Sequence, residues 1–292
     1  MQIRPMTLED TPAVEELTAE AFHEHDVRTR PADWPVPHLR SASQAELRAA
    51  RLRHLVARDP AGCWVAIDSE GAVVGAAAAL LRDGLWGLST YAVHPGVQAR
   101  GIGKQLFRAA LSYAPEGPGL ICSSHDPRAV RRYRLGGFDI HPAMLMWGKV
   151  DRSTLPRLPH GREGGPNDIE FMDGIDREAR GAGHGEDHEV MLSQFRLKIV
   201  ETPRSRAYVY IRAEGGPYLL AATDEAAARK ALWASLAESD AETPIDSHSI
   251  TGHQAWAIDV GLAAGMQLHN RGYVATRAMA APAPYIPSGH FL

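Results

Sequence analysis

Gln98, Gly101 and Gly103 are the residues whose types and spacing could do chemistry in this chain. They stand in the stretch Val93-His94-Pro95-Gly96-Val97-Gln98-Ala99-Arg100-Gly101-Ile102-Gly103-Lys104. Glycine has no side chain to block a close ligand or to penalise a positive φ. The main-chain N–H groups from Ala99 to Lys104 can therefore converge on one point at a helix start. Such a point binds anions, phosphate above all, through free donors and the helix dipole. Spacing excludes two kinds of phosphate loop. A P-loop requires Gly-Lys-Ser/Thr at its end, and Gly101 is followed by Ile102. A dinucleotide fingerprint requires G-x-G-x-x-G, and Leu106 stands where its last small residue belongs.

The elements that must position this loop follow from periodicity. An apolar run from Leu85 ends at Val93, and Pro95 stops it. The helix expected from about Gly103 to Tyr113 puts Leu106, Phe107, Ala109, Ala110 and Leu111 on one broad face. Ahead of the loop, Cys63–Ile67, the turn Ser69-Glu70-Gly71 and Val73–Leu81 read as a hairpin, with Leu85–Val93 as a third strand. Before them, Gln2–Pro5 reads as a strand. A helix capped by Thr7, with Asp10 as its box partner, carries Leu8, Ala13, Val14, Leu17 and Phe22. Three prolines break the chain between Pro31 and Pro37, and Ser43 is expected to cap a helix with Leu47, Leu52, Leu55 and Val56 inward. After the loop come a strand at Leu120–Ser123 and a helix at Pro127–Arg134, ended by Gly136-Gly137. Two more strands are expected at Phe138-Asp139 and Ala143–Val150. The order β-α-α-β-β-β-α-β-α-β is an α/β layered arrangement.

Prolines and glycines crowd residues 151–166, which read as a linker. A second α/β pattern follows. Ile169-Glu170-Phe171 alternates like a strand, and Ile175–Ala179 and Glu189–Phe195 read as helices. Strands are expected at Ala207–Ala213 and Pro217–Ala221. A helix capped by Thr223 or Asp224 runs through Leu236, with Ala227, Ala231, Leu232 and Leu236 inward. Thr243–Ser247 is a strand, Gln254–Leu262 a helix, and Tyr273–Met279 closes the sheet. The segment Pro284–Leu292 is apolar for a free end and is expected to fold back. This is nearly the first order repeated, so the second half reads as a diverged copy of the first.

The strand end Tyr91-Ala92-Val93-His94-Pro95, followed by Gln98-x-x-Gly101-x-Gly103 and an amphipathic helix, resembles the acetyl-CoA pyrophosphate loop of the GNAT family of N-acetyltransferases. The segment Asp126 to Phe138 also resembles a family segment, with Ala129, Tyr133, Gly137 and Phe138 at matching places and Asp126 in place of the usual Asn. The resemblance implies that Tyr91, Ala92, Val93, Gln98, Ala99, Arg100, Gly101, Ile102, Gly103, Lys104, Asp126 and Ala129 meet acetyl-CoA as co-substrate. It implies a main-chain N–H at Ala92 or Val93 against the thioester carbonyl, and Tyr133 as the acid that protonates the leaving thiolate. In the family the strands corresponding to Leu85–Val93 and Leu120–Ser123 splay apart around the pantetheine arm. The second half is similar to the C-terminal half of tandem acetyltransferases. Its counterpart of the loop, Leu220 to Ala226, has no glycine, and Asp224 and Glu225 would repel a diphosphate.

The fold expected is thus α/β, two tandem GNAT-like domains, each a mixed, mostly antiparallel sheet flanked by helices. Residues 1–150 form the catalytic domain, 151–166 the linker and 167–292 the degenerate copy, which either walls the acceptor site or only supports it. The function implied is acetyl transfer to the amine of a small molecule in a ternary complex; the alternative is a non-catalytic module that binds acyl-CoA or a small amine. The base stays open. Leu85–Val93 holds no carboxylate, and His94, His125, Glu24, His23 and Asp26 are the candidates. The polar run Phe22-His23-Glu24-His25-Asp26, expected between the first two helices, could draw a cationic amine.

Composition bounds the rest. A hydrophobic share of 45% and a charged share of 23% are those of a soluble globular chain, and a net charge of -4 leaves no basic footprint for nucleic acid. No apolar run reaches the ~18 residues of a membrane span. The start, Met1-Gln2-Ile3-Arg4-Pro5, lacks an apolar signal core. Cys63 and Cys122 sit in apolar runs, as free thiols of a reducing cytoplasm do. The histidines are scattered without H-E-x-x-H or C-x-x-C, so no metal is expected, and the set His23, His25, His184 and His188 is set aside. Acceptor identity and oligomeric state stay open.

Overall fold

The computed structural model describes residues 1–31, 34–114, 116–157 and 161–292. They divide into two compact units, Met1–Leu81 with Trp86–Glu116, and Arg82–Leu85 with Gly117–Leu292. The division does not follow the 150/167 boundary expected from the linker.

The first unit holds β1 (Gln2–Pro5), α1 (Thr11–Thr29), α2 (Ala42–Arg58), β2 (Cys63–Ile67), β3 (Val73–Arg82), β4 (Leu85–Val93) and α3 (Ile102–Leu111). The strands lie side by side in the order β1-β2-β3-β4. β1 pairs antiparallel with β2, Ile3 opposite Ala66, and β2 with β3, Val65 opposite Ala76. Thr7 and Asp10 form the expected capping box. Asp10 is also gripped by both terminal nitrogens of Arg4 at 2.7 Å. Two expectations shift. Ser41, not Ser43, caps α2, because its hydroxyl and Gln44 complete a reciprocal box. Phe22 to Asp26 lie inside α1, not in a loop, since nothing before Pro31 interrupts the helix.

The second unit holds β5 (Gly119–Ser123), α4 (Pro127–Leu135), β6 (Asp139–Gly148), β7 (Arg162–Glu163), α5 (Ile169–Arg180), α6 (Asp187–Gln194), β8 (Arg196–Glu201), β9 (Arg206–Ile211), β10 (Pro217–Ala222), α7 (Glu225–Ala237), β11 (Ile245–Ile250), α8 (Ala255–Ala263), β12 (Gln267–Arg277) and β13 (Tyr285–Ile286). Two groups of strands form, β5-β12-β6-β11 and β13-β10-β9-β8-β7. β12 pairs antiparallel with β5 on one side and with β6 on the other, which ties residues 119–148 into this unit.

Three local expectations change here. Ile169-Glu170-Phe171 opens α5, because Met172, Ile175, Asp176 and Ala179 continue a buried helical stripe that a three-residue alternation hides. β6 is one strand rather than two. Pro142 interrupts the pattern, but a bulge in β12 between Asn270 and Tyr273 accommodates it. β8 is a strand beyond those expected, and β7 lies within the stretch expected as linker, whose residues 158–160 fall outside the described ones. The core of the unit packs α7 and α8 on the sheet, with Ala227, Ala231, Leu232 and Leu236 inward as expected, against Val209, Ile211, Leu220 and Trp256. The segment from Pro284 does fold back, burying Tyr285, Phe291 and Leu292. Among the described residues no helix is long and apolar enough to cross a membrane.

Candidate functional site

β4 delivers the chain to the loop. His94 N–H donates to Val74 O at 2.9 Å as the strand ends, and a single 3-10 turn spans Pro95–Val97. The Gln98 amide reaches back and donates to Val93 O at 2.9 Å, so this side chain fastens the loop to its strand. Ala99 then takes φ +64° and Gly101 φ +85°. Left-handed residues on both sides of Arg100 are the backbone form that can turn successive N–H groups toward one side, as in an anion nest. Gly101 is the N-cap of α3 and offers no side-chain acceptor. The ladder of α3 begins with Gln105 N–H donating to Gly101 O at 3.2 Å. The N–H groups of Ile102, Gly103 and Lys104 therefore stand ahead of it, as at any helix start. Among the described residues neither Arg100 nor Lys104 has an ion-pair partner, so two cations flank the nest unspent.

The helix behind the nest is held close to the sheet. Leu106 and Phe107 of α3 are buried, and the Phe107 ring lies 6.1 Å from that of Tyr91 on β4. Beneath Leu106 lies Gly75 of β3, where a Cβ would stand 2.8 Å from Leu106 Cδ1. Gly75 is a positioning residue that the sequence reading missed; the signal was a lone glycine inside an apolar strand, which marks close approach.

In the other unit, α4 carries the remaining expected residues. Asp126 caps it, accepting from Arg128 N–H at 2.8 Å and Ala129 N–H at 3.4 Å. Burial works against its ionisation, but the Arg128 guanidinium and these N–H groups hold the carboxyl at about 2. Aspartate in place of asparagine thus serves as helix cap and ion-pair partner. Tyr133 is buried at 4% exposure, one turn and a half into α4.

Of the base candidates, Glu24 lies 3.7 Å from Arg28 within α1. The Nδ1 of His94 accepts from Gly96 N–H at 3.1 Å, and its Nε2 lies 3.5 Å from Glu20. His125 is exposed, and Asp26 lies in the last turns of α1. Among the described residues the buried Nδ1 of His23 has no hydrogen-bond partner.

The second half's counterpart of the loop is built differently. Asp224 is the N-cap of α7, and its carboxylate accepts from Ala227 N–H at 2.8 Å. A hydrogen bond from Ser205, then this N–H, hold the carboxyl below its usual range. The helix start is satisfied by an anion of the chain's own. α3 begins with a bare glycine; α7 begins with a fixed carboxylate.

The model of the Acetyltransferase (GNAT) family matches residues 19–138, which span β2, β3, β4, the nest, α3 and α4. Residues 19–138 thus match a GNAT acetyltransferase domain. Acetyl transfer is the family's activity, with acetyl-CoA as donor. No curated protein matches the sequence. Among solved structures, a Pyrococcus horikoshii protein assigned as an acetyltransferase superposes with a TM-score of 0.74 at 16% identity, covering 99% of this chain and 94% of its own. A GCN5-related N-acetyltransferase from Kribbella flavida gives 0.57 at 15% identity, over 94% of this chain and 71% of its own. A tandem GNAT protein from the clavulanic acid biosynthesis pathway gives 0.50 at 16% identity, over 96% and 99%. Such identities speak for the fold alone: α/β, two tandem GNAT-like domains with sheets flanked by helices.

Proposed function

We propose that this chain is an acetyl-CoA-dependent N-acetyltransferase that passes the acetyl group directly to the amine of a small molecule in a ternary complex. The observation that carries the reading is the open start of α3, where Ala99 and Gly101 in left-handed conformation precede N–H groups with no place in the helical ladder. The diphosphate of acetyl-CoA is the anion this nest would take, with Arg100 and Lys104 adding charge and Gln98 holding the loop in shape. Tyr91, Ala92, Val93, Asp126 and Ala129 are assigned to the cofactor by resemblance, and residues 1–150 are proposed as the acetyl-CoA domain.

The chemistry asks for three things. The thioester carbonyl is polarised by a main-chain N–H at Ala92 or Val93. The neutral amine attacks that carbon, forming C–N as C–S breaks. The ammonium proton leaves to a base, and the thiolate takes the proton of the Tyr133 hydroxyl. For the base, His23 is the candidate with an unspent ring nitrogen. The half from 167 to 292 is proposed to hold no cofactor, because Asp224 already fills the corresponding helix start. The net charge of -4 and the polar face of α1 favour a cationic small amine over nucleic acid. Two free cysteines are in keeping with a reducing cytoplasm.

The test is release of free thiol from acetyl-CoA against a panel of small amines, with Tyr133→Phe beside the native protein. Turnover of the best amine should fall about 100-fold or more in Tyr133→Phe, the range for loss of a general acid, while acetyl-CoA affinity stays unchanged. Tight acetyl-CoA binding with no turnover of any amine would favour the non-catalytic binding module instead.

A further inference from the structure

Asp176, His184 and His188 are fully buried in the second unit, and the acetyl transfer proposed above uses none of them. Asp176 is on α5, His184 on the turn after it and His188 on the first turn of α6. Their facing atoms, Asp176 Oδ2, His184 Nδ1 and His188 Nε2, all lie within 4.8 Å of one another. We propose that these three side chains are the ligands of a structural divalent transition-metal centre of the zinc class.

His184 Nε2 lies 3.1 Å from the main-chain oxygen of Leu292 and 3.3 Å from the Tyr285 hydroxyl. Tyr285 donates its own proton to that same Leu292 oxygen. Both neighbours of Nε2 therefore present lone pairs, and Nε2 carries the ring proton. Nδ1 then turns a lone pair on Asp176 Oδ2 at 2.7 Å. The contact is resolved by a second ring proton or by a metal cation between the two, and full burial beside the Arg180 guanidinium, itself 2.9 Å from Leu292 O, works against a charged ring. His188 adds the second observation. Its Nε2 lies 3.3 Å from the same Asp176 oxygen and 3.4 Å from Asp173 Oδ1, yet it makes no hydrogen bond to either. One Asp176 oxygen thus has a ring nitrogen of each histidine within 3.3 Å.

The spacing and outer contacts fit a metal. Bonds of about 2.0–2.1 Å to Zn²⁺ place tetrahedral ligand atoms about 3.3 Å apart. Asp176 Oδ2 and His188 Nε2 stand at 3.3 Å, and His184 Nδ1, at 2.7 Å from the same oxygen, would draw back by about 0.6 Å to admit the ion. Each ligand is also held from behind. Tyr208 donates to Asp176 Oδ1 at 2.6 Å, the Tyr210 hydroxyl lies 3.0 Å from His188 Nδ1, and Leu292 O takes the His184 Nε2 proton. Outer partners of this kind fix ring orientation and tautomer in metal sites. Asp173 Oδ1 accepts the N–H groups of His184 and Gly185 at 2.8 and 2.9 Å, which shapes the turn bearing one ligand. The oxygen, nitrogen, nitrogen set suits Zn²⁺ or Co²⁺ better than Ca²⁺ or Mg²⁺, which take oxygen. Full burial makes the role structural.

The full-length protein is stripped with a chelator, dialysed, and titrated with Zn²⁺ and then Co²⁺, reading bound metal, thermal midpoint and the visible spectrum of cobalt. Expected are about one ion per chain, a raised midpoint and ligand-field bands of Co²⁺ in a low-symmetry site. Tyr210→Phe, which leaves all three ligands in place, should bind zinc about tenfold or more weakly. His188→Gln should abolish the cobalt bands if it folds; the native titration decides the matter if it does not. Stripped native protein that takes up no ion, or takes it up without a cobalt spectrum or a change in midpoint, would overturn the proposal. So would folded His188→Gln that binds zinc as tightly as the native chain.

Discussion

Replacing Gly101 with alanine separates the loop's conformation from its proposed use. At φ +85° and ψ -4° the residue is left-handed, where an L side chain costs about 1–2 kcal/mol. A Cβ there would meet no atom within 4 Å, so no steric clash adds to that cost. Stabilisation of about 0.4–1 kcal/mol through the unfolded chain offsets part of it, leaving a net loss near 1 kcal/mol. For a chain of this size that is a fall of about 2–4 °C in thermal midpoint. Binding should suffer more. The strain is relieved by turning the peptide, which takes at least one N–H away from the nest, and a hydrogen bond to a charged group is worth about 1.5–3 kcal/mol. Acetyl-CoA affinity, by calorimetry, should therefore drop about tenfold to 100-fold. Gly71→Ala is the matched control, since Gly71 has φ +89° and equally open space but lies in the β2–β3 turn. It should lose the same stability and none of the affinity. Equal acetyl-CoA affinity in Gly101→Ala, Gly71→Ala and native protein would refute the assignment of these N–H groups to the diphosphate.

Asp224→Ala should leave acetyl-CoA affinity unchanged while costing about 1 kcal/mol through the lost cap of α7; a large calorimetric effect would place cofactor in the second half. The Arg4–Asp10 pair should show in acid unfolding. Arg4 holds the Asp10 carboxyl at about 2, below its unfolded value, so the pair's contribution is complete above about pH 4 and is lost as pH falls through 2. With Arg4 a third exposed, screening limits that contribution to about 1–2 kcal/mol, and Asp10→Asn should flatten the acid limb of stability by that amount. Burial pushes the Cys63 thiol up to about 12, with Asp59 adding to it, so a thiol reagent at neutral pH should modify Cys63 only after unfolding; rapid reaction in the folded protein would contradict the burial.

The first half of the chain was legible because its signals are local. Cys63–Ile67 and Leu85–Val93 alternate or run apolar between clear turns, and Gly101 marks a helix start by its own backbone freedom. The capping box at Thr7 is likewise four residues long. Signals were lost where the deciding partner is distant. β12 lies between β5 and β6 through pairing across 120 residues or more, and no periodicity of Tyr273–Met279 carries that information. Ile169 to Phe171 is too short to tell period 2 from period 3.6, and only the buried stripe through Ala179 decides it. At the site, Gln98 was read for its spacing, and the structure shows what the residue type does: its amide bonds to Val93 O. Gly75 was missed because its importance lies in the helix above it. In the sequence His184 and His188 belong to a scattered set; Asp176 gathers them only once α5 and α6 are folded.

The proposed function requires the nest before α3 to grip the diphosphate of coenzyme A. A crystal structure of the full chain with acetyl-CoA tests it most directly. The prediction is phosphate oxygens within about 3 Å of main-chain N–H groups between Ala99 and Lys104, with α7 free of ligand. Coenzyme held elsewhere, or those N–H groups turned to solvent beside a bound coenzyme, would contradict it.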